Sequence, residues 1–196
     1  MIVDEKHRQN LLNVARKLKY AWYSVPTYED GEPTDTYLEY LSLMYNPEVA
    51  KIVKNLEIFP TSTSLFKLSK KFGMSKEEIS NLLEESVRSS FIFKLGSRYS
   101  LANPLMIHDA PFILKTNYDK ENIKDFADLS RKYFEQEKNY KIWETSRRGN
   151  PRMRVLTVSE MIEPKDHIVP IEEVYNIIEQ KEHIALIPCP CRLRKE

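Results

Sequence analysis

The chain contains little glycine and carries almost no net charge. Only 4 of its 196 residues are glycine, whereas 41% are hydrophobic and 11% are aromatic. This composition excludes a disordered or low-complexity protein and is typical of a chain with a packed core. The 30 lysine and arginine residues nearly cancel the 29 acidic residues. A nucleic-acid partner would therefore need a local basic patch rather than an overall positive charge.

Cysteine and long apolar runs are also scarce. Two cysteines separated by one residue cannot form the disulfide framework of a small secreted protein. No apolar run is long enough to cross a membrane, and the first residues have no signal-peptide pattern. We therefore expect a cytoplasmic protein without a membrane partner.

The first part of the chain, residues 1–46, is predicted to be a helical segment. Apolar residues recur at helical spacing over residues 5–22, with basic residues between them. An acidic segment with proline and glycine, 24–35, predicts a loop. An aromatic-rich segment, 37–45, predicts a second helix.

Residues 47–103 have the pattern of a winged helix-turn-helix domain. A first apolar helical face stops near Pro60, and Thr61 or Ser62 is the expected cap of a second helix. That helix is predicted to end at Gly73, because glycine readily adopts the left-handed conformation that closes a helix.

A capping box and a hairpin complete this pattern. Ser75 and Glu78 have the spacing at which a serine hydroxyl and a glutamate carboxylate satisfy each other's backbone amides at the start of a third helix. The segments 91–94 and 98–101 are typical of a β-hairpin, which would be the wing.

The remainder, residues 104–196, is predicted to be a small α/β unit. Its expected elements are a linker (103–118), a helix (120–140), a basic loop (145–154), a strand (155–158), a helix (170–180) and a buried strand (183–187). The predicted fold class is therefore α+β, with N-terminal helices and a winged helix followed by this unit.

The candidate metal ligands are Cys189 and Cys191, which lie side by side in a segment with basic neighbours. Positive charge lowers the pKa of a thiol, and the thiolate is the form that binds iron or zinc. A tetrahedral thiolate site needs about four ligands, so we expect a second subunit or further protein to supply the others. Redox-active thiols and inert thiols are the alternatives.

The segments 154–158 and 168–192, with the helix after Pro170 and the Cys-Pro-Cys-Arg turn, resemble a group of archaeal and bacterial iron–sulfur proteins. Members of that group have a winged-helix region followed by a 4Fe-4S ferredoxin-like region, in which further cysteines follow the first pair. The resemblance implies that Cys189 and Cys191 are cluster ligands. It also implies a chain truncated after its first pair, with an incomplete iron–sulfur site. From the thiolate chemistry alone, zinc is the alternative metal.

Several basic residues are weaker candidates for binding an anion or nucleic acid. They are Arg147, Arg148 and Arg152 in the basic loop, Lys67, Lys70 and Lys71 on the second helix, and Lys94 and Arg98 on the wing. The third helix argues against insertion into a DNA groove, because its four glutamates outnumber its one lysine and one arginine. A solvated turn is the alternative interpretation of the arginine loop.

No catalytic constellation is found, since the four histidines are scattered and there is no phosphate-binding glycine loop, which argues against an enzyme. The leading interpretation is the N-terminal body of an iron–sulfur protein for redox chemistry or electron transfer. Its winged helix would dock a protein partner or a second subunit. The alternatives are a DNA-binding regulator that responds to metal or redox state, and a metal-free interaction module.

Overall fold

Helices and one small sheet make up the part of the chain that the computed structural model describes, residues 1–21, 25–113, 120–140, 171–184, 186 and 189–193. The predicted α+β class is therefore confirmed. The predicted basic loop (145–154) and the strand (155–158) lie outside these residues. No helix among them is long and apolar enough to cross a membrane.

The elements follow one another in chain order. They are α1 (Glu5–Leu18), α2 (Asp35–Met44), α3 (Pro47–Val53), β1 (Glu57–Ile58), β2 (Thr63–Ser64), α4 (Leu65–Phe72), α5 (Lys76–Arg88), β3 (Ile92–Leu95), β4 (Arg98–Leu101), α6 (Pro104–Ile113), α7 (Lys120–Arg131), α8 (Ile171–Glu179) and α9 (Pro190–Leu193). A π-helical turn, Lys132–Gln136, follows α7, so the helix predicted over 120–140 is regular only in its first part.

Side-chain caps set where the first two helices begin. The Asp4 carboxylate accepts the backbone N–H of His7 at the start of α1, and the Thr34 hydroxyl accepts that of Tyr37 at the start of α2. The helix predicted over 5–22 ends earlier, at Leu18, and the helix predicted over 37–45 begins earlier, at Asp35. Both predicted helices are otherwise confirmed.

Three local predictions within residues 47–103 are confirmed, and the winged-helix domain itself stays a prediction. Gly73 ends α4 in the left-handed conformation, with φ 65°. Ser75 and Glu78 form the predicted capping box at the start of α5. The hairpin of β3 and β4 turns at Gly96, whose φ of 60° favours glycine.

The cap predicted for the second helix was wrong. Ser64, not Thr61 or Ser62, caps α4 by accepting the backbone N–H of Lys67. The reason is that Thr63 and Ser64 first pair with β4 as the short strand β2, so the helix cannot start before Leu65.

Strand β4 organises the sheet. It pairs antiparallel with β3 and with β2, and parallel with β1. Its residues Tyr99, Ser100 and Leu101 are almost completely buried, so this short strand joins the sheet to the core.

The linker predicted over 103–118 was also wrong, because Pro104–Ile113 forms the helix α6. Pro104 fits the first position of a helix, and the Asn103 side chain accepts the backbone N–H of Met106 at 3.0 Å. Pro111 lacks the N–H that would bond the carbonyl of Ile107, but the Tyr40 hydroxyl donates to that carbonyl at 3.1 Å.

Tyr40 is at the centre of a buried aromatic cluster. Its hydroxyl also lies 3.1 Å from the carbonyl oxygen of His108. Its ring packs edge-on against Phe126 of α7 and Tyr133 of the π-helical turn, with centroid separations of 5.4 and 5.2 Å. One core cluster thus includes residues of 1–46, 47–103 and 104–196, and the division into three domains stays a prediction.

The buried strand predicted over 183–187 was wrong for the residues of it that are described. His183, Ile184 and Leu186 are not in a strand, and Leu186 is 95% exposed. An apolar run forms a buried strand only where a neighbouring strand pairs with it, and β4 already has partners on both sides. The helix predicted over 170–180 is confirmed as α8.

Replacing Tyr40 by phenylalanine should destabilise the protein by about 1–3 kcal/mol. The Ile107 carbonyl then loses the hydroxyl that replaces the helical hydrogen bond Pro111 cannot donate. Urea unfolding of the two proteins measures the difference. Tyr28→Phe is the matched control, since its hydroxyl bonds Asp35 on the surface, and we expect a change below about 0.5 kcal/mol. Equal effects of the two substitutions would contradict this role for Tyr40.

Candidate functional site

The two cysteines open the short helix α9. Pro190 is its first residue, and the Cys189 carbonyl accepts the backbone N–H of Arg192 at 3.1 Å. Both thiols are free and exposed to solvent. The α9 turn lies beside α6, so a buried helix supports it from one side.

The Cys189 thiol is activated by its position in the turn. Hydrogen bonds from the backbone N–H groups of Arg192 and Cys191 lower its pKa, and the positive charge of Arg192 adds to this effect. Neighbouring positive charges, from which the sequence predicted this activation, make the smaller contribution. The larger contribution comes from backbone donors, which only the folded turn reveals.

The donor chemistry fits a thiophilic metal, but the described residues provide only half of a site. Cys189 and Cys191 are soft thiolate donors of the kind that iron–sulfur clusters and zinc accept. Within the described ranges, no group of three or more histidine, cysteine, aspartate or glutamate side chains is placed to hold a metal ion.

Neighbouring histidines do not complete the site. His108, on the α6 helix beside the turn, is buried and its Nδ1 atom forms a hydrogen bond with the Tyr133 hydroxyl. His183 is exposed and precedes the cysteines in sequence without forming a metal-binding group with them.

The basic candidates within residues 47–103 all lie on the surface. Lys67, Lys70 and Lys71 are exposed on α4. Lys94 is exposed on β3 with its Nζ atom 5.8 Å from the ring centroid of Tyr99. The other candidates, Arg147, Arg148 and Arg152, lie outside the described residues.

Arg98 has a structural role that the sequence did not reveal. Its Nε atom donates to the Ser62 hydroxyl and its Nη2 atom donates to the Ser62 carbonyl, both at 2.7 Å. These bonds hold the hairpin of β3 and β4 against the loop between β1 and β2. A guanidinium held in this way has fewer donors left for a phosphate.

The surface around α5 combines negative charge with exposed apolar side chains. Glu77, Glu84 and Glu85 are all exposed. Phe66 of α4 is 65% exposed, and the Nζ atom of Lys76 lies 5.8 Å from its ring centroid. Exposed aromatic groups beside charges are typical of protein-docking surfaces, whereas an acidic helix repels DNA.

Comparison with protein-family models, with curated proteins and with solved structures gave no match. The resemblance to iron–sulfur proteins therefore stays a prediction from the sequence.

In a Cys191→Ser variant, the rate of alkylation of Cys189 should reach half its maximum at a lower pH in the folded protein than in urea. The sign follows from the pKa, since the backbone N–H groups of residues 191 and 192 stabilise the thiolate only in the folded turn. The unfolded variant is its own control. An equal or higher midpoint in the folded protein would contradict this activation.

Proposed function

We propose that this chain is the N-terminal body of an iron–sulfur or zinc protein that acts in redox chemistry or electron transfer. The observation that carries the proposal is the pair of free, exposed thiols in one turn, of which Cys189 has a lowered pKa. Thiolates of this kind bind iron and zinc.

The remaining ligands are proposed to come from a second copy of the chain or from a partner protein. Two thiolates are half of the tetrahedral set that a cluster or a structural zinc site uses. Two turns that meet across a two-fold axis would supply four thiolates. A reducing compartment such as the cytoplasm would keep these thiols free to bind.

The winged-helix unit is proposed to dock a protein. The exposed face of α5 is acidic, and Arg98 of the wing is held by Ser62. Exposed Phe66 and Leu95 offer apolar anchors for a protein surface.

Reconstitution of the full chain with iron and sulfide, and separately with zinc, tests the metal proposal. We expect bound metal, with sulfur-to-iron absorption in the first case, and at least about tenfold weaker binding in Cys189→Ser and Cys191→Ser. His183→Ala is the matched control, because it removes a nearby exposed donor and should leave metal content unchanged. Wild-type protein that binds neither metal would overturn the proposal that two copies of the chain complete the site.

The second candidate function is a DNA-binding regulator that responds to metal or redox state, and the exposed Lys67, Lys70 and Lys71 favour it. If it holds, affinity for duplex DNA measured by fluorescence anisotropy should fall steeply with salt. Replacing the three lysines by glutamine should reduce the slope of log affinity against log salt by about 3. Replacing Glu77, Glu84 and Glu85 by glutamine is the control, which should not weaken binding.

A further inference from the structure

An open groove of about 510 Å³ lies where the start of the chain crosses α2 and α7. Its size is in the range of ligand and peptide sites. The residues that line it are Met1, Ile2, Glu39, Ser42, Leu43, Asp125, Asp128 and Leu129. The surface inside is mostly apolar, and Ile2, Leu43 and Leu129 are half-buried side chains packed against the core.

Three carboxylates line the groove around this apolar surface. Glu39 belongs to α2, and Asp125 and Asp128 belong to α7. All three are exposed, and in the part of the chain that the structure describes no basic side chain forms an ion pair with any of them. Among the described residues that line the groove there is no lysine or arginine.

The carboxylates of Asp125 and Asp128 do not stabilise the helix α7. Asp125 and Asp128 are three residues apart, where like charges on a helix surface repel each other. Aspartate is also a poor helix former, so neither residue supports the helix by its intrinsic propensity. Lys124 and Lys132 lie one turn on either side of Asp128 but form no ion pair with it.

We propose that this groove binds a basic amphipathic segment of a partner protein. Its apolar side chains would cover Ile2, Leu43 and Leu129, and its lysines or arginines would pair with the three carboxylates. Charge complementarity and an apolar floor are the features by which a groove selects an amphipathic helix. This proposal does not depend on the metal site.

A labelled 16-residue helical peptide, with leucine at every third or fourth position and lysine elsewhere, tests the proposal by fluorescence anisotropy on the full chain. We expect saturable binding that weakens with salt. The triple variant Glu39→Gln, Asp125→Asn, Asp128→Asn should bind about tenfold more weakly. This variant should unfold at the same temperature as the wild type or higher, since the carboxylates make no ion pair.

Matched controls separate the groove from general charge effects. The variant with Glu29, Glu48 and Glu179 replaced by glutamine removes the same number of charges from exposed positions outside the groove, and its affinity should change less than about twofold. A peptide with glutamine in place of each leucine should not bind. Equal losses in the two triple variants, or full binding of the leucine-free peptide, would overturn the proposal. The proposal would also be overturned if the wild-type chain showed no saturable binding of the leucine–lysine peptide.

Discussion

The hydroxyl of Tyr40 is the contact on which the arrangement of the helices depends. It bonds the carbonyls of Ile107 and His108, which lie 67 and 68 residues further along the chain. The first bond replaces the one that Pro111 cannot make, so α6 stays helical while buried. The same ring packs on Phe126 and Tyr133, which fixes α7 and its π-helical turn against α2. The helix next to the cysteine turn is therefore held by a residue from the first quarter of the sequence.

The features that the sequence predicted well are those decided within a few residues. Gly73, with its left-handed backbone, and the reciprocal bonds of Ser75 and Glu78 need no distant partner. The failures all involve distant contacts. The segment 103–118 was predicted to be a linker because its prolines break helices, and its sequence does not reveal the hydrogen bond from the distant Tyr40 hydroxyl. The cap of α4 was misplaced because β2 pairs with β4 before the helix begins. The apolar run 183–187 carries no information on whether another strand is free to pair with it.

In the candidate site too, the sequence predicts the features decided within a few residues and misses those that depend on distant contacts. The spacing of Cys189 and Cys191 suffices to name the thiolate donors, but not to show that backbone N–H groups activate Cys189 more than the arginine charge does. Nor could the sequence show that Ser62 holds Arg98, or that Glu39 lines one groove with two aspartates of α7. Each of these depends on which surfaces the fold brings together. The chemistry of single residues was therefore more predictable than their grouping.

Native mass spectrometry of anaerobically reconstituted protein tests the central claim most directly, because it reports the number of chains and the bound metal in one particle. We expect a particle of two chains that carries zinc or an iron–sulfur cluster. That mass should disappear when Cys189 and Cys191 are both replaced by serine. A metal-free particle from the wild-type chain under the same conditions, or one whose metal survives the double replacement, would contradict the account.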